Sequence, residues 1–355
     1  MSKRRTGKKT SLTRIIRGFF SAVANNLRTV FDMNTARRIQ KKLTAEYKRP
    51  RLPELDFYTR LLYIYSIHFK GAKKMRFFSF AGGQIPLGSK TYIMGILNVT
   101  PDSFSDGGMW FSPEKAAAHA AKMEENGADI IDIGAFSTRP GAEYITPEEE
   151  WERLSAVLPE IIKHTSLPVS VDTFVPEVAE RCIDAGAAII NDVSGVFNEK
   201  TAELIKRSGA GWILMHGGVA TGRAESIADY PGGAALSVQN FFDSAAEYAA
   251  AHGIPVEKIC LDPGFGFSKD EMQNIELLKN LGTLNTHGAA LLSALSRKRF
   301  VGAVSDEPDA AKRDEATLIC NTLSVIGGAD IIRVHNVPLH AKAIRTADRL
   351  IRQID

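Results

Sequence analysis

Seven short apolar runs in the chain end on a residue able to bind or ionise. Asn98 follows TYIMGIL, Asp172 follows PVSV, Asn191 and Asp192 follow AII, His216 follows WILM, Asp262 follows ICL, Ser296-Arg297-Lys298 follow ALLSAL, and Arg333 with His335 follows ADII. An eighth run, DIIDI, ends at Gly134 with STRPG behind it. A single Asp or Asn after a strand is commonly a helix cap or turn residue. Eight such ends in succession exceed what loop chemistry needs and point to a shared site.

The residues sort into two chemical sets. Asn98, Arg139, Lys298, Arg333 and His335 supply donors and positive charge, which suits an anion with more than one negative group; Arg offers a fork to phosphate oxygens. Asp172, Asn191 and Asp262 supply acceptors, and the Asn amide also donates, which suits a flat heterocycle with adjacent N–H groups. Buried carboxylates need such partners to offset desolvation. Met215 and Phe267 can face a ring, although an inward Met is more often plain core. There is no GxSxG, no HExxH and no Cys beside a His, so acyl transfer and zinc hydrolysis lack support. His216 and His335 are candidate acid or base groups, but His335, so near Arg333, reads more simply as a phosphate donor. A reaction in which a diphosphate departs, held by cations while the heterocycle spreads developing charge, fits these groups better.

The elements that must position these residues alternate. Apolar runs at Tyr92–Leu97, Asp129–Ile133, Pro168–Val171, Ala188–Ile190, Trp212–Met215, Ile259–Leu261, Ala290–Leu295 and Ile331–Val334 read as strands. Helical patterns lie between them, such as PEKAAAHAAKMEENG, with Pro113 at a first turn and Gly127 at a C-terminal cap, and PEEEWERLSAVLPEIIKH, with acids at its start. Eight strands alternating with eight helices predict an α/β protein of the (β/α)8 TIM-barrel class, whose strand ends meet at one rim. The GxGxxG of an open dinucleotide-binding sheet is missing. Ahead of the first strand, RFFSFAGGQIPLGSK has GxxxxG spacing, but Ser89 stands where a phosphate loop needs Lys; a short hairpin closing the barrel bottom is expected instead.

The 355 residues are 44% hydrophobic and 24% charged, which suits one barrel with an appendage. Residues 1–74 hold 19 Lys and Arg against 4 Asp and Glu, leaving 25 against 37 for residues 75–355. A basic, partly helical or disordered N-terminal extension is therefore joined to an acidic barrel. Within it, Ile15, Ile16, Phe19, Phe20, Val23, Leu27 and Val30 follow helical spacing among arginines, a pattern that leaves membrane contact, nucleic-acid contact and targeting open. The segment LDFYTRLLYIYSIHF is broken by Arg60 and is too short to span a bilayer. On the plainer reading, Met75 is the functional start. Cys182, Cys260 and Cys320 lack CxxC pairing and read as buried thiols of a reducing, cytoplasmic compartment.

Seven motifs together resemble the bacterial dihydropteroate synthase family: ILNVTPDSFSDGG (96–108), STRPGAE (137–143), SVDT (170–173), NDVSG (191–195), LDPGFGFSK (261–269), SRK (296–298) and RVHNV (333–337). The resemblance covers the body from about Met75 and implies condensation of 6-hydroxymethyl-7,8-dihydropterin diphosphate with 4-aminobenzoate, giving 7,8-dihydropteroate and pyrophosphate. It further implies that Asp172, Asn191, Asp262 and Lys298 hold the pterin with Met215 against its face. Thr138, Arg333 and His335 would contact the phosphates, and Asn98 would help bind Mg2+. Phe104, Arg139, Pro140, Phe267, Lys269 and Ser296 would shape the aminobenzoate pocket. Asp172, Asp262, Lys298 and Arg333 are thereby the expected catalytic set, in a homodimer.

Several positions depart from the family pattern. Phe136 precedes STRPG, Phe174 follows VDT, the MHMxG loop is shortened to Met215-His216-Gly217-Gly218, and Ala294 replaces a Gly before SRK. Phe136 bears on aminobenzoate and sulfonamide affinity. Two other readings use a similar barrel: a methyltetrahydrofolate-binding methyltransferase, which has no use for the cationic set, and a pterin-binding paralogue without turnover.

Overall fold

A computed structural model describes residues 75–99, 112–135, 145–217 and 227–352. The expectations about residues 1–74, Phe104, Phe136, Thr138, Arg139 and Pro140 fall outside those residues.

All eight expected barrel strands form. After an antiparallel hairpin, β1 (Arg76–Phe80) and β2 (Gly83–Leu87), come β3 (Tyr92–Asn98), β4 (Ile130–Gly134), β5 (Val169–Asp172), β6 (Ile189–Asp192), β7 (Gly211–Met215), β8 (Ile259–Asp262), β9 (Ala290–Ser293) and β10 (Ile331–Val334). Strands β3 to β10 pair in parallel in chain order, and β10 bonds to both β9 and β3, closing a TIM barrel. Their near-continuous Ile, Val and Leu content follows from burial on both faces. Alternate residues point outward to the helices, among them Ile131, Ile133, Val169, Val171, Ile190, Trp212, Leu214 and Leu261.

The hairpin closes the barrel floor, as expected. Phe78, Phe80 and Leu87 pack with the inward residues Tyr92, Met94, Ile130, Ile189, Ile213, Cys260, Leu292 and Ile331. Gly211 makes room: a Cβ there would lie 2.8 Å from the Phe78 ring. Polar ties fix the hairpin in place. Arg76 donates to the Ala289 carbonyl at 2.9 Å and pairs with Asp330 at 2.8 Å, and the Tyr92 hydroxyl donates to the Pro86 carbonyl.

Five of the nine described helices begin at a residue whose side chain accepts a free N–H of the first turn: Ser112, Thr146, Asn198, Asp270 and Asn336. The nine are α1 (Pro113–Glu125), α2 (Pro147–His164), α3 (Pro176–Asp184), α4 (Glu199–Ser208), α5 (Ala234–Ala251), α6 (Glu271–Asn280), α7 (Arg299–Val304), α8 (Asp314–Ile326) and α9 (Val337–Ile351). Thr146 with Glu149 and Asp270 with Gln273 form reciprocal capping boxes on α2 and α6. Nine α-helices, not eight, occur among the described residues. The extra one, α7, is a single short helix between β9 and α8, set apart by the Ser305–Arg313 stretch, whose Pro308 disfavours helical backbone before it.

Cys182, Cys260 and Cys320 are buried and unpaired. No helix among the described residues is long and apolar enough to cross a membrane. Phe78 is fully buried, so Phe78→Ala is expected to destabilise the barrel by about 3–5 kcal/mol; urea unfolding measures this, and a loss below about 1 kcal/mol would remove the hairpin from the core.

Candidate active site

Above the apolar floor the inward positions turn polar at one level of the barrel. On β4, Ile130 faces the floor, so the two-residue period brings Asp132 inward as well. Asp172 pairs in register with Asn191 across β5 and β6, and Met215 with Asp262 across β7 and β8. Arg333 reaches over from β10 and binds two of these carboxylates. Its Nε donates to Asp132 Oδ2 at 2.6 Å and its Nη2 to Asp172 Oδ2 at 3.0 Å. Asn191 Nδ2 donates to the same Asp132 oxygen at 3.2 Å. Asp132 Oδ1 and Asn191 Oδ1 are buried and receive no hydrogen bond from the protein; leaving such atoms unsatisfied is costly, so each has acceptor capacity that the protein itself does not use.

Asp132 was not singled out from the sequence, where only the last residue of each run was read. Its signal was nonetheless present: a lone Asp between isoleucines, IIDI, is a charge in a buried strand.

The loop after β8 carries the other half of the site. Asp262 Oδ1 accepts the Gly264 N–H at 2.7 Å, which turns the chain sharply. Gly264 has φ +68, and a Cβ there would run into the His216 carbonyl. Gly266 has φ +77, and its missing Cβ leaves room for the Lys298 stem, 2.7 Å from where it would be. Lys298 Nζ donates to the Phe265 carbonyl and lies 4.3 Å above the Phe267 ring. Lys269 Nζ is spent on the Gly264 and Phe267 carbonyls at 2.9 and 3.2 Å. Met215 and Phe267 sit in one apolar cluster with Val193 and Phe174, so the Phe174 departure joins the apolar wall of the site.

Ser296, of the expected aminobenzoate set, meets His335, of the anion set. Ser296 Oγ lies 3.0 Å from His335 Nδ1 and accepts the His335 backbone N–H at 3.3 Å. Asn98 ends β3 half-buried, in register with Gly134 at the same rim. Two members of the ring turn away. Asp192 points outward and accepts the Ser194 N–H, and His216 Nε2 meets Ser237 Oγ of α5 at 3.1 Å. Burial, with Lys269 nearby, pushes His216 down to about 3, so it is neutral and ill suited to proton transfer.

The electrostatics follow from crowding charge in a dry mouth. Burial raises Asp172 to about 7; the Arg333 cation opposes this, while the Asp132 and Glu150 carboxylates add to it. Burial raises Asp262 too, against the pull of Lys298. Burial lowers Lys298 to about 8 and Lys269 to about 7, with Asp262 opposing in each case. Arg333 is also disfavoured by burial, but Asp132 and Asp172 outweigh that and keep it charged. A barrel mouth that juxtaposes carboxylates, an arginine and a buried lysine can hold a heterocycle by its N–H groups and an anion beside it.

Comparison with known proteins defines the class of this fold and site. Residues 94–335 match the family model for pterin binding enzymes, and the chain belongs to that family. Within it, the similar proteins include dihydropteroate synthases. The enzyme of that name from Synechocystis sp. is 41% identical over 75% of this chain and 92% of its own length. Among solved structures, the dihydropteroate synthase of Clostridium difficile determined in the presence of pteroic acid is 39% identical, covering 75% of this chain and 98% of that one, with a TM-score of 0.69. The Yersinia pestis dihydropteroate synthase in complex with a sulfonamide drug is 36% identical over 76% and 98%, with a TM-score of 0.70.

Asp132→Asn would leave Arg333 with Asp172 as its sole carboxylate partner, and removing the neighbouring negative charge should lower the Asp172 pKa from about 7. Carboxyl carbon NMR titration reads this directly. An unchanged or higher value would mean that the two carboxylates do not compete for one cation.

Proposed function

We propose that the chain condenses 6-hydroxymethyl-7,8-dihydropterin diphosphate with 4-aminobenzoate to 7,8-dihydropteroate and pyrophosphate, a transferase step of folate synthesis. The observation that carries this reading is the meeting of Asp132, Asp172, Asn191 and Asp262 with Arg333 and Lys298 in one barrel mouth. The acceptors suit the N–H groups of the pterin edge, with Met215 and Phe267 as apolar faces. Lys298, Arg333, His335 and Thr138 are the residues we assign to the diphosphate.

The reaction proceeds by cleavage of the bond between the methylene carbon and the diphosphate oxygen, which keeps the electron pair. The pterin ring shares the resulting positive charge, the aminobenzoate nitrogen donates its lone pair to that carbon, and the amine proton is released to solvent. No strong base is needed, in keeping with a neutral His216 turned away from the mouth. Departing charge is met by fixed cations that need little reorganisation. We assign Ser296, Phe267, Lys269, Phe104, Arg139 and Pro140 to 4-aminobenzoate, with which sulfonamides would compete.

Mg2+ fits the donor set. Among the described residues there is no cluster of three or more His, Cys, Asp or Glu that could cage a metal, while Asn98 offers a hard carboxamide oxygen at the rim. Mg2+ keeps most of its shell for water and substrate phosphates and takes one or two protein ligands. When bound there with the diphosphate, it would neutralise negative charge on the leaving group.

We also assign the chain to the cytoplasm, supported by its three buried, unpaired thiols, and to a homodimer. On α8, Ile319, Leu323 and Ile326 are 64%, 48% and 60% exposed at helical spacing, an apolar stripe suited to a second copy of the same helix. Leu323→Lys should shift the sedimentation coefficient from dimer to monomer; a parent chain that is already monomeric would contradict the assignment.

The function is tested by pyrophosphate release with both substrates. Asp262→Asn and Lys298→Ala should each lower kcat/KM by about 100-fold or more, with release dependent on 4-aminobenzoate. In the parent, kcat/KM should fall as pH drops through about 7, where Asp172 takes up a proton and stops accepting, and fall again above about 8, where Lys298 loses its charge. Normal turnover in either variant would overturn the reading, and methyl transfer without pyrophosphate would favour the methyltransferase alternative.

A further inference from the structure

Arg297 lies between two residues of the site, Ser296 and Lys298, yet takes no part in it. Its backbone adopts φ +59, a left-handed conformation that side-chain-bearing residues seldom occupy without support. The support comes from the first turn of α8. Arg297 Nε and Nη2 donate to Asp314 Oδ1 and Oδ2 at 2.6 and 2.8 Å, a fork on a carboxylate. The Arg297 backbone N–H donates to Thr317 Oγ1 at 3.1 Å. From below, the buried Arg313 donates to the Arg297 carbonyl at 3.0 Å and to the Glu307 carbonyl at 2.8 Å.

The same carboxylate reaches the neighbouring strand. Asp314 Oδ2 also accepts from Asn336 Nδ2 at 2.9 Å. Asn336 follows His335 directly and caps α9 through the Leu339 N–H. Both Asp314 oxygens are thus consumed by the turns after β9 and β10, the two turns that carry Ser296, Lys298 and His335. Burial works against the ionised form of Asp314, but the hydrogen bonds from Arg297 and Asn336 prevail and keep its pKa low.

We propose that Asp314 is a positioning residue for the anion side of the active site: by holding Arg297 and Asn336 at once, it fixes the distance between Lys298 and the Ser296–His335 pair. The inference rests on the function proposed above. Asp314 does not touch substrate; it sets the register of two groups that do, as partners of ligating residues commonly do.

The test uses the full chain and two probes, inorganic pyrophosphate with Mg2+ and 6-hydroxymethylpterin without phosphate, each measured by calorimetry. In Asp314→Asn, pyrophosphate affinity and the KM for the pterin diphosphate should worsen about 10- to 100-fold, while the phosphate-free pterin, which keeps Asp172, Asn191 and Asp262 and is affected through Lys298 alone, weakens by a clearly smaller factor. Arg297→Lys, which keeps the charge but loses the fork, should act in the same direction, and Asp314→Glu should recover part of the loss. Unchanged pyrophosphate affinity in Asp314→Asn, or an equal loss for both probes, would overturn the positioning role while leaving the function standing. A parent chain that binds neither probe would overturn the function itself.

Discussion

One guanidinium shared by two buried carboxylates governs this molecule. Arg333 is the cation to which Asp132 and Asp172 both bond, so the mouth of the barrel carries more negative charge than its arginine can satisfy. Bringing such groups out of water costs several kcal/mol per ion unless geometry and hydrogen bonding compensate. The consequence is a site held in tension: Asp172 takes up protons at an unusually high pH, and acceptor atoms on Asp132 and Asn191 remain unspent. Those properties would be faults in a structural core. In the pocket proposed for a ring with several N–H groups, they are what recognition would use.

The barrel tolerates that tension because its two ends are built differently. The floor is dry, filled with Phe, Met, Ile and Leu side chains and closed by the β1–β2 hairpin. The mouth is polar and depends on backbone as much as on side chains. In the loop after β8, carbonyl oxygens of Gly264, Phe265 and Phe267 receive both lysine ammoniums. A carbonyl dipole steadies a buried cation without cancelling its charge, so Lys298 keeps a field directed at the mouth, at the expense of a lowered pKa. Glycines at 264 and 266 are what allow the loop to come this close to its neighbours.

Much of the fold was legible from periodicity and punctuation. Eight apolar runs became eight parallel strands, and Pro113 with Gly127 for α1 and the leading acids for α2 placed those helices almost to the residue. The segment after β9 departs from the eight-helix pattern, with a short helix and a buried arginine ahead of α8, because the burial of Arg313 depends on carbonyls of Glu307 and Arg297 that no apolar periodicity marks. Polar strand ends also do not all face the same way. Asp192 and His216 proved to look outward, whereas Asp132, two residues short of a strand end, looks in.

The amino-acid sequence by itself determined that this is a closed parallel barrel with a polar rim, and which residue types gather there, since strand alternation and burial are properties of neighbours along the chain. Only the tertiary structure decided how those residues share their bonds: that Arg333 spans Asp132 and Asp172, that Lys269 is spent on its own loop, and that Asp314 joins two turns. Such choices depend on distances across the barrel between residues up to 201 positions apart, and no local pattern encodes a distance of that kind.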